Sequence, residues 1–356
     1  MKKIRIISIY DNNNYGNRLQ NLALQDFIKS LDDNNDVKVL RNYSPLNEKK
    51  NYLLRYFKYF KNRSLYSEIK GRKEKFKAFN KNIKFSFKTF TSISKPEKNA
   101  YYVVGSDQVW NPNMGRLRDV DLLKSVDDSK KISYAASFGV ENIREFINDE
   151  IRNDLKSFKN LSVREENGKR ILYEITNRKD IEVNVDPTML LSAQEWIRYE
   201  KKPAFINDSE RYILVYFLGE INDSRKKEIK KVATKLGYKI INILDKNSDA
   251  YLTGPSEFLY LEHHASLICT DSFHSCVFGI IFNTPFTVFN REQRGMSNMN
   301  SRIETLLRKF DLTERMCNED RISENLLKAC DADKIQDILN REMINSKKYL
   351  EKALDL

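Results

Sequence analysis

The sequence predicts an α/β protein of two Rossmann-like parallel-sheet domains facing a cleft, with helices at its C-terminus. Three observations predict it. The 356 residues suffice for two cores of ordinary size. Strand-length apolar runs alternate with segments of helical period, once over residues 4–191 and again over 211–290. Between the two series lies a polar connector, SAQEWIRYEKKPAFINDSE, residues 192–210. The expected divisions are residues 1–194, 195–320 and a helical tail, 321–356.

The first series opens with IRIISIY, a buried strand run. NRLQNLALQDFIKSL follows, with Leu19, Leu22, Ala23, Phe27 and Leu31 at helical spacing. VKVLRNY reads as the next strand. Residues 48–90 form a basic insert with helix-like stretches, NYLLRYFKYF and YSEIKGRKEKFKAFNKNI. AYYVVGS, KISYAASFG, NLSVRE and IEVNVDPTMLL are strands, and the later ones are separated by helical stretches near 141–157 and 166–176. In the second series RYILVYFLG is a strand, and SRKKEIKKVATKLG is an amphipathic helix stopping at Gly237. YKIINIL, SLICT and PFTVFN are strands, alternating with the helices PSEFLYLEHHA and DSFHSCVFGIIFN. From Glu324 onward Ile335, Ile338, Leu339, Met343 and Leu350 form a helical stripe.

Composition narrows the class. A hydrophobic content of 40% with 31% charged residues fits a globular chain, not a disordered one. No apolar run reaches the ~20 residues of a membrane span. MKKIRIISIY is followed at once by Asp11 and three asparagines, so it reads as a strand and not as a signal peptide. Cys269, Cys276, Cys317 and Cys330 have no metal-ligand spacing, and reduced cytoplasmic thiols are expected. Nothing in the sequence indicates a metal cluster, so no metal and no cofactor are expected. Net charge is +12, and residues 48–88 carry 14 Lys/Arg against 3 acids, nearly all of the excess. The remainder is close to neutral, which argues against a protein that coats nucleic acid.

In such folds ligands bind at the carboxyl ends of strands. Four segments place chemistry there. CTDSFH puts His274 in the first turn of a helix that Asp271 or Ser272 can cap. A helix N-terminus favours an anion, and an imidazole beside one suits proton transfer near neutral pH; a structural histidine is the alternative. DNNNYGNRLQ turns a strand end into a helix start at Gly16 and Asn17, presenting backbone N–H groups, Tyr15 and Arg18 to the cleft, or serving as an ordinary turn. It is neither GxGxxG nor a P-loop. In VVGSDQVWNP, Gly105 permits an unusual backbone angle, and Asp107 is a cap or a base. LSVREENG sets Arg164 at a strand end, either solvated or forming a two-pronged contact to a carboxylate or phosphate. His263 and His264 read as structural or surface residues.

NYGNRLQNLALQ, VVGSDQVWNP, ISYAASFG, LSVREENG, VDPTMLL and TDSFHSCVFGIIFNTPF occur in this order over roughly residues 10–310. The ordered set resembles the polysaccharide pyruvyl transferase family. The resemblance implies a GT-B-type fold and transfer of pyruvate from phosphoenolpyruvate to a sugar diol of a surface glycan or its lipid-linked precursor. The products would be a cyclic ketal and phosphate. By position, Asp107 looks like the family's first-domain acid, Arg164 like its anion-binding arginine and His274 like its second-domain histidine. Many members carry an arginine two residues before that histidine, where this chain has Ser272. Arg291, Arg294 and Arg302 in the following segment are the candidates to supply that cation.

Two other readings stay open from the residues. One is a GT-B glycosyltransferase using a nucleotide sugar. The other is a membrane-surface binder built on the basic insert, in which Tyr52, Leu53, Leu54, Tyr56, Phe57, Tyr59 and Phe60 lie among lysines and arginines. For the transferase, a cytoplasmic location with peripheral contact at the inner membrane through residues 48–90 is expected. The aromatics of the insert can equally pack a helical hairpin onto the first domain.

Overall fold

The computed structural model describes residues 1–10, 13–41, 63–90, 95–292, 301–317 and 319–356. Arg294 and the aromatic run 52–60 therefore lie outside the described residues. The chain divides into two compact units. Unit 1 comprises residues 1–67, 80–190 and 341–356, and unit 2 comprises 68–79 and 191–340. Against the expected divisions, residues 68–79 of the basic insert, 191–194 and 321–340 belong to unit 2, and the last sixteen residues belong to unit 1.

Unit 1 is built on a parallel sheet of order β3-β2-β1-β4-β5. Its strands are β1 (Lys3–Ile7), β2 (Asp36–Arg41), β3 (Phe85–Thr89), β4 (Ala100–Val104) and β5 (Lys131–Ser133). Single parallel bridges, Ile132 to Asn160 and Ala136 to Val163, continue the order to β6 (Leu161–Val163), which pairs with β7 (Ile181–Val183). β1 and β4 are almost wholly buried, as central strands of a two-sided parallel sheet must be, and the one buried charge of β1, Arg5, is paired with Asp36 and Glu97. The order reverses between β1 and β4, so the crevice beyond Ile7 and Val104 is this sheet's topological switch point. Residues 85–89, expected within a helical insert, form β3 instead. FSFKT has a period of two, and β2 offers an edge with Val39 paired to Phe85.

Helix α1 (Tyr15–Leu31) follows β1, and α2 (Arg63–Phe79) carries the described part of the basic insert. In unit 2, Phe76 and Phe79 of α2 are buried, Arg72 donates to the Tyr251 carbonyl at 2.8 Å, and Lys75 pairs with Glu257 at 2.7 Å. This half of the insert thus packs, and it does so within unit 2. Helices α3 (Asp149–Lys156) and α4 (Glu166–Thr176) flank the later strands of unit 1.

Unit 2 has a parallel sheet of order β11-β10-β8-β9: β8 (Tyr212–Tyr216), β9 (Lys239–Asn242), β10 (Leu267–Thr270) and β11 (Phe286–Val288). Its order reverses between β8 and β10. The connector is less polar in role than in composition. It holds α5 (Ala193–Ile197), started by a Ser192/Glu195 capping box, and Trp196 is fully buried against Phe278 at 5.3 Å. Helices α6 (Asp223–Leu236), α7 (Pro255–His264), α8 (Phe273–Ile281) and α9 (Ser301–Lys309) complete the unit.

The last helix is α10 (Ala332–Leu354). Its C-terminal part is integral to unit 1: the Tyr349 hydroxyl donates to the Ser133 carbonyl at 2.7 Å, Leu350 is fully buried, and Lys159 pairs with Asp355 at 2.6 Å. Among the described residues no helix is long and apolar enough to cross a membrane.

Candidate functional site

Most of the described sequence-predicted residues lie just beyond strands of the two parallel sheets. In the first, α1 starts directly beyond β1. Asn14 is its N-cap and accepts from the Asn17 N–H at 3.1 Å, so the cap comes two residues before Gly16. Tyr15, Gly16 and Asn17 are buried in the first turn. Arg18, expected to be presented at the strand ends, is fully buried. Its guanidinium lies 4.6 Å from the Tyr10 ring centre and donates to the Ile9 carbonyl at 3.3 Å, so it holds the β1–α1 loop.

Beyond β4, Gly105 continues the ladder, its N–H donating to the Ile7 carbonyl at 2.7 Å. The unusual backbone belongs to Asp107, at φ 71°, and not to Gly105. Aspartate tolerates the left-handed region because its short carboxylate bonds locally, here accepting from the Gln108 N–H at 2.9 Å. The Asp107 carbonyl accepts from the Ser137 N–H at 3.0 Å, which fixes this turn to the end of β5. Strained polar residues held by surrounding structure cluster at functional sites.

Arg164 follows β6 and is buried with Asp186, which follows β7. Their side chains are 3% and 0% exposed and meet at 2.7 Å. Ser106 donates to the same carboxylate oxygen at 2.9 Å, and Thr188 donates to the other from its N–H and its hydroxyl, at 3.0 and 2.7 Å. Glu165 lies 3.8 Å from the guanidinium and accepts from Ser137 at 2.7 Å. Burial by itself lowers the Arg164 pKa. The charges of Asp186, Glu165 and Asp107 outweigh it, so the guanidinium is held above its ordinary value and stays charged.

At the second switch point β10 runs into α8. Ser272 is the N-cap residue, but its hydroxyl makes no capping bond. Asp271 does not cap the helix either. It accepts from the Leu218 and Gly219 N–H groups beyond β8, at 2.6 and 2.8 Å, and from Arg291 Nε at 3.2 Å. Arg291 also donates to the Asp271 carbonyl at 2.9 Å, which places its guanidinium at the start of α8. A Cβ on Gly219 would come within 2.8 Å of Arg291 Cγ and of the Glu292 carbonyl, so glycine there is what lets this loop close. His274 is partly exposed in the first turn, edge-on to Phe273 at 5.4 Å. Arg302 is buried in the first turn of α9. Of the three candidate arginines, Arg291 is the one shown at the α8 start, and Arg294 is not described.

Behind α8, the fully buried Glu262 of α7 accepts from Ser275 at 2.6 Å. Burial pushes its carboxyl well above the usual range, against the smaller lowering effect of that hydrogen bond. Asp186, Glu165 and Ser106 are the neighbours that sequence reasoning passed over, and Asp271, read there as a cap, instead ties the β8 loop to Arg291. Asp186 falls inside IEVNVDPTMLL, read from sequence as one strand; the strand ends at Val183 and Pro187–Leu190 form a 3-10 turn, and the pairing of Asp186 with Arg164 depends on β6 lying beside β7.

Two doubly wound parallel sheets, with Asp107 and Arg164 beyond strand ends of one and Arg291 and His274 beyond those of the other, define a fold of the GT-B type. Similarity to solved structures agrees. UDP-GlcNAc 2-epimerase from Neisseria meningitidis, bound to UDP-GlcNAc, is 13% identical, covering 100% of this chain and 94% of its own, with a TM-score of 0.52. The Methanocaldococcus jannaschii UDP-GlcNAc 2-epimerase in complex with UDP-GlcNAc and UDP is 16% identical, over 96% of this chain and 99% of its own, with a TM-score of 0.46. At 13% identity the likeness to the Neisseria enzyme concerns the fold alone. No curated protein matches the chain. The family model for polysaccharide pyruvyl transferase matches residues 14–293. The chain belongs to that family, and it is a transferase.

Proposed function

We propose that this transferase moves pyruvate from phosphoenolpyruvate to two hydroxyls of one sugar in a surface glycan precursor, forming a cyclic ketal and releasing phosphate. The observation that carries the reading is that each unit holds a guanidinium fixed by a carboxylate beyond its strand ends: Arg164, held by Asp186 and within the field of Asp107, and Arg291, held by Asp271 at the start of the helix whose first turn carries His274.

The chemistry asks for those groups. A proton added to the methylene carbon of phosphoenolpyruvate makes the adjacent carbon electrophilic. One sugar hydroxyl attacks that carbon and loses its proton. The C–O bond to phosphate breaks, and the second hydroxyl closes the ring as its own proton leaves. Of the two hydroxyl protons, one balances the proton now in the methyl group and the other departs with phosphate. His274 and Asp107 serve these transfers. The α8 start and Arg291 take anionic oxygens of the donor, supported by the uncapped first turn and the helix dipole. Arg164 is a further anion contact, its plane fixed beforehand by Asp186 so that little ordering remains on binding. The acceptor is a lipid-linked oligosaccharide met at the inner membrane face, a reading supported by the basic charge of residues 48–88.

The test is phosphate release from phosphoenolpyruvate with a panel of synthetic and lipid-linked galactosides and mannosaminides. Release that depends on acceptor, with a product heavier by one pyruvate less water, supports the reading. Turnover of a nucleotide sugar with phosphoenolpyruvate inert would replace it with glycosyl transfer.

A further inference from the structure

A second group of chemically active side chains lies in unit 2, apart from the switch point. Glu200 follows α5, and His263 and His264 end α7. Glu200 Oε1 is 2.7 Å from His263 Nδ1, and Glu200 Oε2 is 3.4 Å from His264 Nε2. One donor atom from each residue lies within 4.8 Å of the others. Both rings are held in place: His263 stacks on Phe282 at 4.6 Å between ring centres, and His264 on Tyr260 at 4.1 Å. The His263 carbonyl accepts from Thr284 at 3.2 Å, which fixes the helix end beneath them.

We propose that Glu200, His263 and His264 form a binding site for a divalent first-row transition metal of the zinc class, with the remaining coordination position open to water. Two imidazoles and a carboxylate are ligands that zinc, cobalt and nickel share, and they do not favour magnesium or calcium. Metal–ligand bonds of about 2.0–2.2 Å put tetrahedral donors roughly 3.4 Å apart. The Glu200 oxygens already stand 2.7 and 3.4 Å from the two imidazole nitrogens, so small side-chain rotations bring one atom from each residue onto one ion. A carboxylate accepts only, so the proton between Glu200 and His263 sits on Nδ1 in the metal-free state. It moves to Nε2 when the metal takes its place. The site sits at the carboxyl end of α7, where the helix dipole favours a cation. It ties α7 to the segment after α5.

Sequence spacing hides this site, because two adjacent histidines match no ligand pattern and the carboxylate lies 63 residues from His263. The test is titration of the purified full chain, stripped with chelator, with Zn²⁺ by calorimetry and with Co²⁺ by visible absorption. One equivalent should bind, with the intense Co²⁺ bands of four-coordination. His263→Gln and His264→Gln should each weaken binding at least ~10-fold, since even loss of an outer-sphere partner costs that much. His274→Gln should leave it unchanged. Denaturation curves in chelator separate loss of a ligand from loss of fold. X-ray absorption of the zinc complex should show nitrogen and oxygen neighbours alone. Absence of stoichiometric binding, full affinity in the double glutamine variant, or sulfur in the zinc shell would overturn the assignment.

Discussion

Removing the Arg164 guanidinium while leaving Asp186 should destabilise unit 1 more than most single changes. Asp186 has no exposed side-chain surface, and Arg164 is its ion-pair partner at 2.7 Å. Truncating one member of a buried pair typically costs about 3–5 kcal/mol, because the other charge stays buried. Three hydrogen bonds would still reach Asp186, one from Ser106 and two from Thr188, and this places Arg164→Met near the lower end, about 3 kcal/mol. In Arg164→Met/Asp186→Asn the stranded charge is gone and the Thr188 bonds still find an acceptor. The double variant should therefore be more stable than Arg164→Met by ~1–2 kcal/mol, a positive coupling between neighbours. Arg164→Lys keeps the charge but loses the planar fork, so it should fold while weakening phosphoenolpyruvate binding. Denaturant unfolding of the four-member cycle, with donor titration of the lysine variant, provides the measurement. An Arg164→Met cost under ~1 kcal/mol, or no recovery in the double variant, would refute the buried-pair argument. Unchanged donor affinity in Arg164→Lys would remove its anion role.

Asp107→Asn keeps a residue that tolerates φ 71° and should retain wild-type stability while losing turnover, whereas Asp107→Val should lose about 1–3 kcal/mol of stability as well. Thermal unfolding alongside phosphate release distinguishes the two, and a fully active Asp107→Asn would end the acid–base role. Glu262 has a raised folded pKa, so its contribution to stability is complete below the unfolded value of 4.5 and declines as pH rises from there toward the folded value. Glu262→Gln should accordingly flatten the fall in stability that wild type shows as pH rises above 4.5; a variant whose stability falls as steeply as that of wild type would contradict this. Residues 48–88 should bring the protein to anionic liposomes in low salt, with recovery falling in high salt and in the Lys58→Glu/Lys61→Glu/Arg63→Glu variant. Equal, negligible flotation with anionic and neutral vesicles would leave the segment a packing element.

Much of the fold is legible because a parallel sheet needs apolar strands and one-sided helices, and both leave a period in the sequence. β1, α1, β8, α6, β10 and α8 all follow from that period. β3 was hidden by the charge of its surroundings, and Trp196 made a polar-looking connector part of the unit 2 core. The site was legible as strand ends and less so as contacts. Asp107 and Arg164 stand out in the sequence because they lie at or just past strand ends, and Ser272 and His274 because they open the helix that follows a strand. Their partners do not, because Arg164 and Asp186 are 22 residues apart, Asp271 and Arg291 are 20 apart, and each pair meets only once the strands align in register. Arg18 shows the converse. A cation near a strand end looks ligand-facing in sequence, yet Tyr10 and Phe85 supply aromatic faces that draw it inward.

The central claim is that His274 and a donor of phosphoenolpyruvate type meet in one reaction. Its most direct measurement is acceptor-dependent phosphate release from phosphoenolpyruvate by wild type and by His274→Ala, with mass analysis of the sugar product. Wild type should release phosphate and yield a pyruvate ketal, and the variant should be folded and slower by ~10²–10⁴. A folded His274→Ala that turns over at the wild-type rate, or a wild type inert toward phosphoenolpyruvate with every acceptor of the panel, would contradict it.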